Sequence, residues 1–381
     1  MGNIRPKGLR TWIEVDTDAI ARNYRLFRSI IPKSTKLLAV VKSNAYGHSH
    51  IDFAREMQKL GADYIAVDSI LEGLSLRRSG ITIPILVLGH TLDERFADAA
   101  KHDIAIAVSS LHQLRMLAKN RYPRPLRIHI KVETGLGRQG FTSAEMPSVL
   151  GFIKKNLETK RVIVEGLFTH LAQGKDPASP GYTRRQLKSF AVWTDAIHAL
   201  GVKSLLHSGA SGPTLVFPET HMDMVRIGIG MYGLWPDEKT RLALGRTHAL
   251  APVLSWRAVI SETKRLPRGS AIGYDSTEKL RRDSIVAIVP IGYWHGFPRA
   301  LSSKGAVLVA GRRAKVLGRV SMDMIAIDVT AIPGAKRGSR VTLIGKDGRA
   351  EISAQEIADL MHASVYELVT RINPLIKRMY I

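Results

Sequence analysis

The chain has no cysteine among its 381 residues. Disulfides, thiolate nucleophiles and cysteine-ligated metals are excluded, while the redox compartment stays open. Acidic residues are scarce, with 33 Asp and Glu against 56 Lys and Arg, for a formal net charge of +23. Such a balance raises the question of a nucleic-acid partner. Yet aromatic residues make up only 6%, and the cations fall in short pairs such as Arg77-Arg78, Arg184-Arg185, Arg281-Arg282 and Arg312-Arg313. There is no long basic tract and no zinc-finger or RNA-recognition signature. The charge therefore reads as a solvated basic surface, and a nucleic-acid-binding protein is kept only as the non-enzymatic alternative. No apolar run reaches membrane-spanning length, and Met1-Gly2-Asn3-Ile4-Arg5-Pro6 lacks an apolar signal core. A soluble cytoplasmic protein without a membrane partner is the simplest reading. No metal site is predicted.

Apolar residues are plentiful, at 45%, and the length allows two domains. Between residue 36 and about 230, short β-rich runs alternate with helix-length segments. The runs are Leu37–Val41, Tyr64–Val67, Ile85–Leu88, Ile104–Val108, Leu126–Val132, Val162–Phe168, Ser204–Leu206 and Met222–Ile227. Eight strands alternating with helices predict an N-terminal (β/α)₈ TIM-like barrel over residues 12–245, of the α/β class, with its site at the C-terminal strand ends. After about residue 245 the runs are short and separated by Gly-, Pro- and Arg-containing turns, with no long helix before Ser353–Met361. Residues 246–381 thus read as a mostly-β domain, with which the N-terminal strand within residues 1–15 can pair.

Lys42 ends the first barrel run, in Val40-Val41-Lys42-Ser43-Asn44-Ala45-Tyr46-Gly47-His48. A lone strand-end lysine ordinarily snorkels to water. Held at the end of a buried strand, its amine can instead lose its charge and attack a carbonyl. Gly228-Ile229-Gly230-Met231-Tyr232-Gly233 matches GxGxxG, but it follows the last barrel strand rather than an early one. A phosphate-cradling loop is a better reading of it than a dinucleotide fold.

These strings resemble the alanine racemases, a family of pyridoxal-phosphate (PLP) enzymes of fold type III. The resemblance runs from about Trp12 to Tyr380. It implies that Lys42 forms a Schiff base with PLP and that Tyr46 hydrogen-bonds the phosphate. From Met224–Gly233 it implies that Arg226 faces the pyridine nitrogen, with Gly228 and Ile229 donating amides to the phosphate. Ser211, in Gly209-Ala210-Ser211-Gly212, matches a phosphate-binding serine, although the usual preceding asparagine is absent. Ile130–Gly140 resembles the segment whose arginine, here Arg138, contacts the cofactor oxygen and the substrate carboxylate. Its lysine, here Lys131, is carbamylated in some members. Phe168-Thr169-His170 matches a histidine, His170, that bridges the catalytic tyrosine and the pyridine-facing arginine.

In the second domain, Ala271–Thr277 resembles the segment bearing the second base, here Tyr274. Gly318–Met324 resembles the one that offers the amide of Met322 to the substrate carboxylate, with Asp323 lining the site. Ile291–Arg299 resembles the entrance segment. It departs from the family form by placing Trp294 and His295 where a small residue and an aspartate are common. Pro374 stands where some members have a phosphate-contacting tyrosine.

The function implied is interconversion of L- and D-alanine on PLP by two bases, supplying D-alanine for peptidoglycan. By resemblance, Lys42 serves the D-enantiomer and Tyr274 the L-enantiomer, in a homodimer with shared active sites. An arginine at the pyridine nitrogen stays protonated and cannot hand over its proton, so the ring is a weaker electron sink and side reactions are suppressed. A fold-type III decarboxylase would want an acidic partner there. A related racemase of serine or a broader amino-acid range stays open.

Overall fold

The structure is a computed structural model, and it describes residues 7–159 and 161–381. Its described residues form two compact units. One comprises 18–45 and 50–251, and the other comprises the chain up to Thr17, Tyr46–Ser49 and Pro252–Ile381. No helix among the described residues is long and apolar enough to cross a membrane.

The first unit is the barrel. Strands β2 (Lys36–Val40), β3 (Tyr64–Val67), β4 (Ile85–Val87), β5 (Ile104–Val108), β6 (Leu126–Lys131), β7 (Val162–Phe168), β8 (Leu205–His207) and β9 (Met224–Ile227) are all parallel. Their order is β8-β7-β6-β5-β4-β3-β2-β9. The gap between β8 and β9 is bridged by single backbone bonds, such as the Arg226 amide to the Gly209 carbonyl at 3.0 Å. All eight expected runs are strands. β3, β5 and β9 are buried at every position, which is why β3 and β5 read as continuous apolar runs rather than alternating ones, while β9 carries the buried Arg226. Helices such as His50–Leu60, Ile70–Arg78 and Gly181–His198 provide the crossovers. Ser69 and Ser110 cap two helices by accepting from the backbone three residues on.

The second unit is mostly β. Its ten-stranded sheet includes Leu254–Val259, Ser284–Val289, Ala306–Val309, Arg312–Leu317, Ile325–Asp328 and Arg340–Asp347. Strand β1 (Thr11–Val15) lies in this sheet, antiparallel to Leu254–Val259 and parallel to Arg378–Tyr380. Of the N-terminal segment 1–15, residues 1–6 lie outside the described residues. The tetrapeptide Tyr46–Ser49 is tied to the same unit. The Arg378 guanidinium donates to the Gly47 carbonyl at 2.9 Å, and the Tyr380 hydroxyl donates to that of His48 at 2.8 Å.

Candidate active site

The barrel's C-terminal mouth is built around buried cations. Arg226, on β9, is only 4% exposed. Its guanidinium donates to the His207 carbonyl (2.8 Å), His207 Nδ1 (2.9 Å), the Thr169 carbonyl (2.8 Å), the Ser208 carbonyl (3.2 Å) and His170 Nδ1 (3.4 Å). Burial lowers its pKa to about 9, which leaves it cationic at neutral pH. The Phe168 ring lies under both this guanidinium and the Lys131 ammonium.

Because Arg226 can only donate, it dictates the tautomers behind it. His207 must accept through Nδ1, so its Nε2–H donates to His129 Nδ1 at 2.9 Å. His129 Nε2–H then donates to Glu165 Oε2 at 3.1 Å, and Glu165 also accepts from Arg127 at 2.7 Å. The chain from Arg226 to Arg127 runs through the barrel interior, where apolar layers are the rule. Two local features make room for it. The register between β6 and β7 shifts at Ile128/His129, so Glu165 has no facing partner. A Cβ on Gly166 would stand 2.1 Å from the His129 ring. Burial, then the charge of Arg226, holds His207 well below the usual histidine pKa, so it is neutral.

His170 is pushed to about 3, first by burial and then by Arg226, Arg138, Lys131 and Lys42. Lys131 falls to about 8, first through burial, then through Arg138 and Arg226. Its ammonium donates to Gln139 Oε1 at 3.2 Å. Arg138 stands on a loop whose backbone is gathered by one carboxylate. Glu133 accepts the amides of Gly135, Leu136 (2.6 Å) and Arg138 (3.1 Å).

Lys42 pairs with Asp68 at 3.2 Å. After it, Ser43, Asn44, Ala45 and Tyr46 all have φ between 51° and 56°. Consecutive left-handed residues cost about 1–2 kcal/mol each. The turn is held by specific partners: Glu72 accepts the Ser43 and Asp68 amides, each at 2.8 Å, and Asn44 Oδ1 accepts the His50 amide at 3.1 Å. Ser211 is buried, and its Oγ accepts the amides of Gly228 (3.0 Å) and Gly230 (3.2 Å). Ile229 opens the short helical turn Ile229–Tyr232.

The barrel thus carries Lys42, Lys131, Arg138, His170, Ser211, Arg226, Gly228 and Ile229. Tyr46, Tyr274, Met322 and Asp323 belong to the β unit. The Tyr46 ring lies 6.0 Å from that of Tyr366. Tyr274 is 69% exposed and Met322 is also exposed. Both line an open cavity of about 1080 Å³ with Tyr293, Arg319, Asp323 and Arg371. Asp275, next to Tyr274, is ion-paired to Arg319. Pro374 sits between Asn373 and Leu375, whose amide donates to Asn373 Oδ1. Sequence reading missed Asp68, Glu72, His129, His207 and Glu165. Two histidines and a glutamate inside barrel strands were the available signal.

This arrangement has close counterparts. Residues 15–236 match the family description "Alanine racemase, N-terminal domain", and 253–380 match "Alanine racemase, C-terminal domain". The chain belongs to the alanine racemase family. It is 37% identical over 377 residues to the alanine racemase of Leptospira interrogans, covering 97% of this chain and 96% of that one. It is 36% identical to alanine racemase 2 of Bacillus subtilis, covering 97% and 94%. Among solved structures, the alanine racemase of D-cycloserine-producing Streptomyces lavendulae superimposes with a TM-score of 0.90 at 33% identity, covering 99% of this chain and 98% of that one. That of Bacillus anthracis with bound L-Ala-P gives 0.91 at 34%, covering 99% and 96%.

Proposed function

We propose that the protein binds PLP at the barrel mouth and interconverts L- and D-alanine with Lys42 and Tyr274 as the two bases. The observation that carries this reading is Arg226. It is a buried donor, cationic at neutral pH, where a decarboxylase would hold a carboxylate. The residues present fit the cofactor. Lys42, Lys131, Arg138 and Arg226 supply excess positive charge for a phosphate and a carboxylate. Ser211 with the amides of Gly228 and Ile229 would hold the phosphate, and Tyr46 would add a hydroxyl. Arg226, fixed by its carbonyl acceptors, would donate to the ring nitrogen. When bound, PLP supplies an aldehyde for the substrate amine and a ring that drains charge from Cα.

The chain's own groups do the rest. Arg138 and the Met322 amide would orient the substrate carboxylate, with Asp323 beside them. Lys42 takes the Cα proton of D-alanine on one face, and Tyr274 of the partner subunit delivers a proton to the opposite face. The reverse order converts L- to D-alanine. Lys131, with its lowered pKa, has enough neutral amine near pH 8 to take up CO₂. Carbamylation would turn a cation that repels Arg138 into an anion that holds it.

The protein would act in the cytoplasm as a homodimer, with the barrel unit, 18–45 and 50–251, as the cofactor domain and the β unit completing the partner's site. D-alanine would feed peptidoglycan. The test is borohydride reduction of the PLP-loaded enzyme followed by peptide mapping. Pyridoxyl label on Lys42 is expected, and label confined to another lysine would overturn the assignment.

A further inference from the structure

His295 is buried, and the Gly292 amide donates to its Nδ1 at 3.1 Å. Two donors face the ring, the Gly292 amide at Nδ1 and the Arg10 guanidinium at Nε2, and a neutral imidazole accepts at only one. The Gly292 bond is the shorter and the more buried, so it takes Nδ1 and the ring proton sits on Nε2, with Arg10 at 3.5 Å not hydrogen-bonded to it. This bond closes the turn Gly292–Gly296, which is clamped to a second turn, Ser321–Met324. The Tyr293 amide donates to the Ser321 carbonyl at 3.1 Å, and the Trp294 amide donates to the Met322 carbonyl at 3.0 Å. The two turns are so close that a Cβ on Gly292 would stand 2.1 Å from the Ser321 oxygen. On the other side, the Asn373 amide donates to the His295 carbonyl at 3.2 Å and its side chain to that of Trp294 at 3.0 Å.

We propose that His295 is a positioning residue: as a neutral acceptor it locks the Gly292–Gly296 turn, and through it the Met322 and Asp323 backbone that receives the substrate carboxylate. The inference rests on the reading of Met322 given above. Two charged groups act on the ring. Arg10 stands 3.5 Å from Nε2, and Asp323 stands 3.9 Å from Nδ1. Arg371 contributes its backbone, its carbonyl lying against Gly296, while its side chain is paired with Glu367. Protonation would put a hydrogen on Nδ1, which could no longer accept from Gly292 and would turn toward Asp323. Burial and then Arg10 lower the histidine pKa, with Asp323 opposing. The lock is therefore complete at neutrality and is released as pH falls below the ordinary histidine value of about 6.5.

An aspartate at this position could accept the same amide while remaining ionised well below that pH. His295 thus makes alanine affinity acid-sensitive where aspartate would not.

The holoenzyme tests this with three proteins: wild type, His295→Asp and His295→Leu. ¹⁵N-histidine spectra, assigned by loss of the His295 signal in the variants, should show the Nε2–H tautomer at pH 7.5. KM for alanine in the wild type should rise roughly fivefold on acidification through the histidine titration, the effect of one lost hydrogen bond, with kcat nearly constant. His295→Asp should flatten that rise. His295→Leu should show the raised KM at every pH, with faster deuterium exchange at the Tyr293 and Trp294 amides. A protonated Nδ1 at pH 7.5, or identical KM profiles in wild type and His295→Asp, would overturn the inference. If tautomer and amide exchange behave as expected while KM stays flat in all three, the Met322 assignment is at fault and the link to affinity falls with it.

Discussion

The barrel mouth and the face of the β unit solve opposite problems. At the mouth, both terminal nitrogens of Arg226 have acceptors, and the His207–His129–Glu165 chain behind it leads to Arg127. On the β unit, Tyr274 and Met322 are exposed beside an open cavity, and the ordering lies in the backbone turns beneath them. The first region is pre-organised within one chain. The second presents groups that do nothing until something faces them. A fixed cation is valuable where charge must be held constant throughout a reaction. An exposed phenol is useful only once another surface completes its surroundings, which is what the proposed homodimer would supply.

The comparison breaks most sharply at Lys42. Lys42→Ala should lower racemisation by at least about 10³-fold, the upper range for removing one acid–base group. Tyr274→Phe alone should also be nearly inactive. Mixed with exchange of subunits, the two variants should recover up to about a quarter of wild-type activity, because random pairing leaves one intact site in each heterodimer. Activity assays on such mixtures decide it. No recovery despite demonstrated exchange would mean that each site is built within one chain.

A smaller effect separates the two bases. Tyr274→Phe should suppress α-deuterium exchange from L-alanine by about 10²-fold while slowing exchange from D-alanine far less. Equal losses from both enantiomers would remove its assignment to one face.

Much of this contrast was legible in the sequence. The barrel runs showed because strands buried on both faces are rich in apolar residues, Lys42 showed because it ends such a run in a charge, and Arg226 showed only through the resemblance of Met224–Gly233. The strand Arg340–Asp347 escaped notice although it lies inside the large sheet, pairing with Leu254–Val259 and Ala306–Val309. Its polar ends hid it: Arg340 and Asp347 pair with each other at 3.0 Å, and Thr342 takes a hydrogen bond from buried Arg257. The His207–His129–Glu165 chain escaped for a related reason. Its members come from three strands, and their spacing in sequence says nothing of contact until the barrel closes. The same holds for Tyr46–Ser49, which lies between barrel elements in sequence and packs with the β unit.

Lys131 sharpens the comparison at the mouth itself. Lys131→Gln, which keeps a donor but cannot be carbamylated, should raise KM for alanine about tenfold, since Arg138 loses its ionic partner. Growth in ¹³C-bicarbonate should give a carbamate signal in the wild type and none in the variant. An ordered, unmodified Lys131 in crystals grown with bicarbonate would contradict this.

The smallest effect tests how rigid the buried chain is, through pH. His207 is neutral when folded and has a depressed pKa, whereas in the unfolded chain it titrates near 6.5. The unfolded state therefore binds more protons below that value, so stability is full above about pH 6.5 and falls as pH drops. The slope from this one group approaches about 1.4 kcal/mol per pH unit. Glu165 extends the loss at lower pH. Burial raises its pKa, but the hydrogen bonds from His129 and Arg127 and the charge of Arg127 outweigh that and hold it below the usual glutamate value. Its contribution is present above about pH 4.3 and disappears as pH falls through its folded value. Urea midpoints of the barrel between pH 8 and 4, at fixed protein and PLP concentrations, should thus decline from pH 6.5 downward. His207→Asn should lower the midpoint at pH 8, because it interrupts the chain, and should also reduce the slope between pH 6.5 and 5. A variant with the lower midpoint but an undiminished slope would show that His207 is not held neutral, and the contrast between a fixed mouth and an unfinished β face would lose its physical basis.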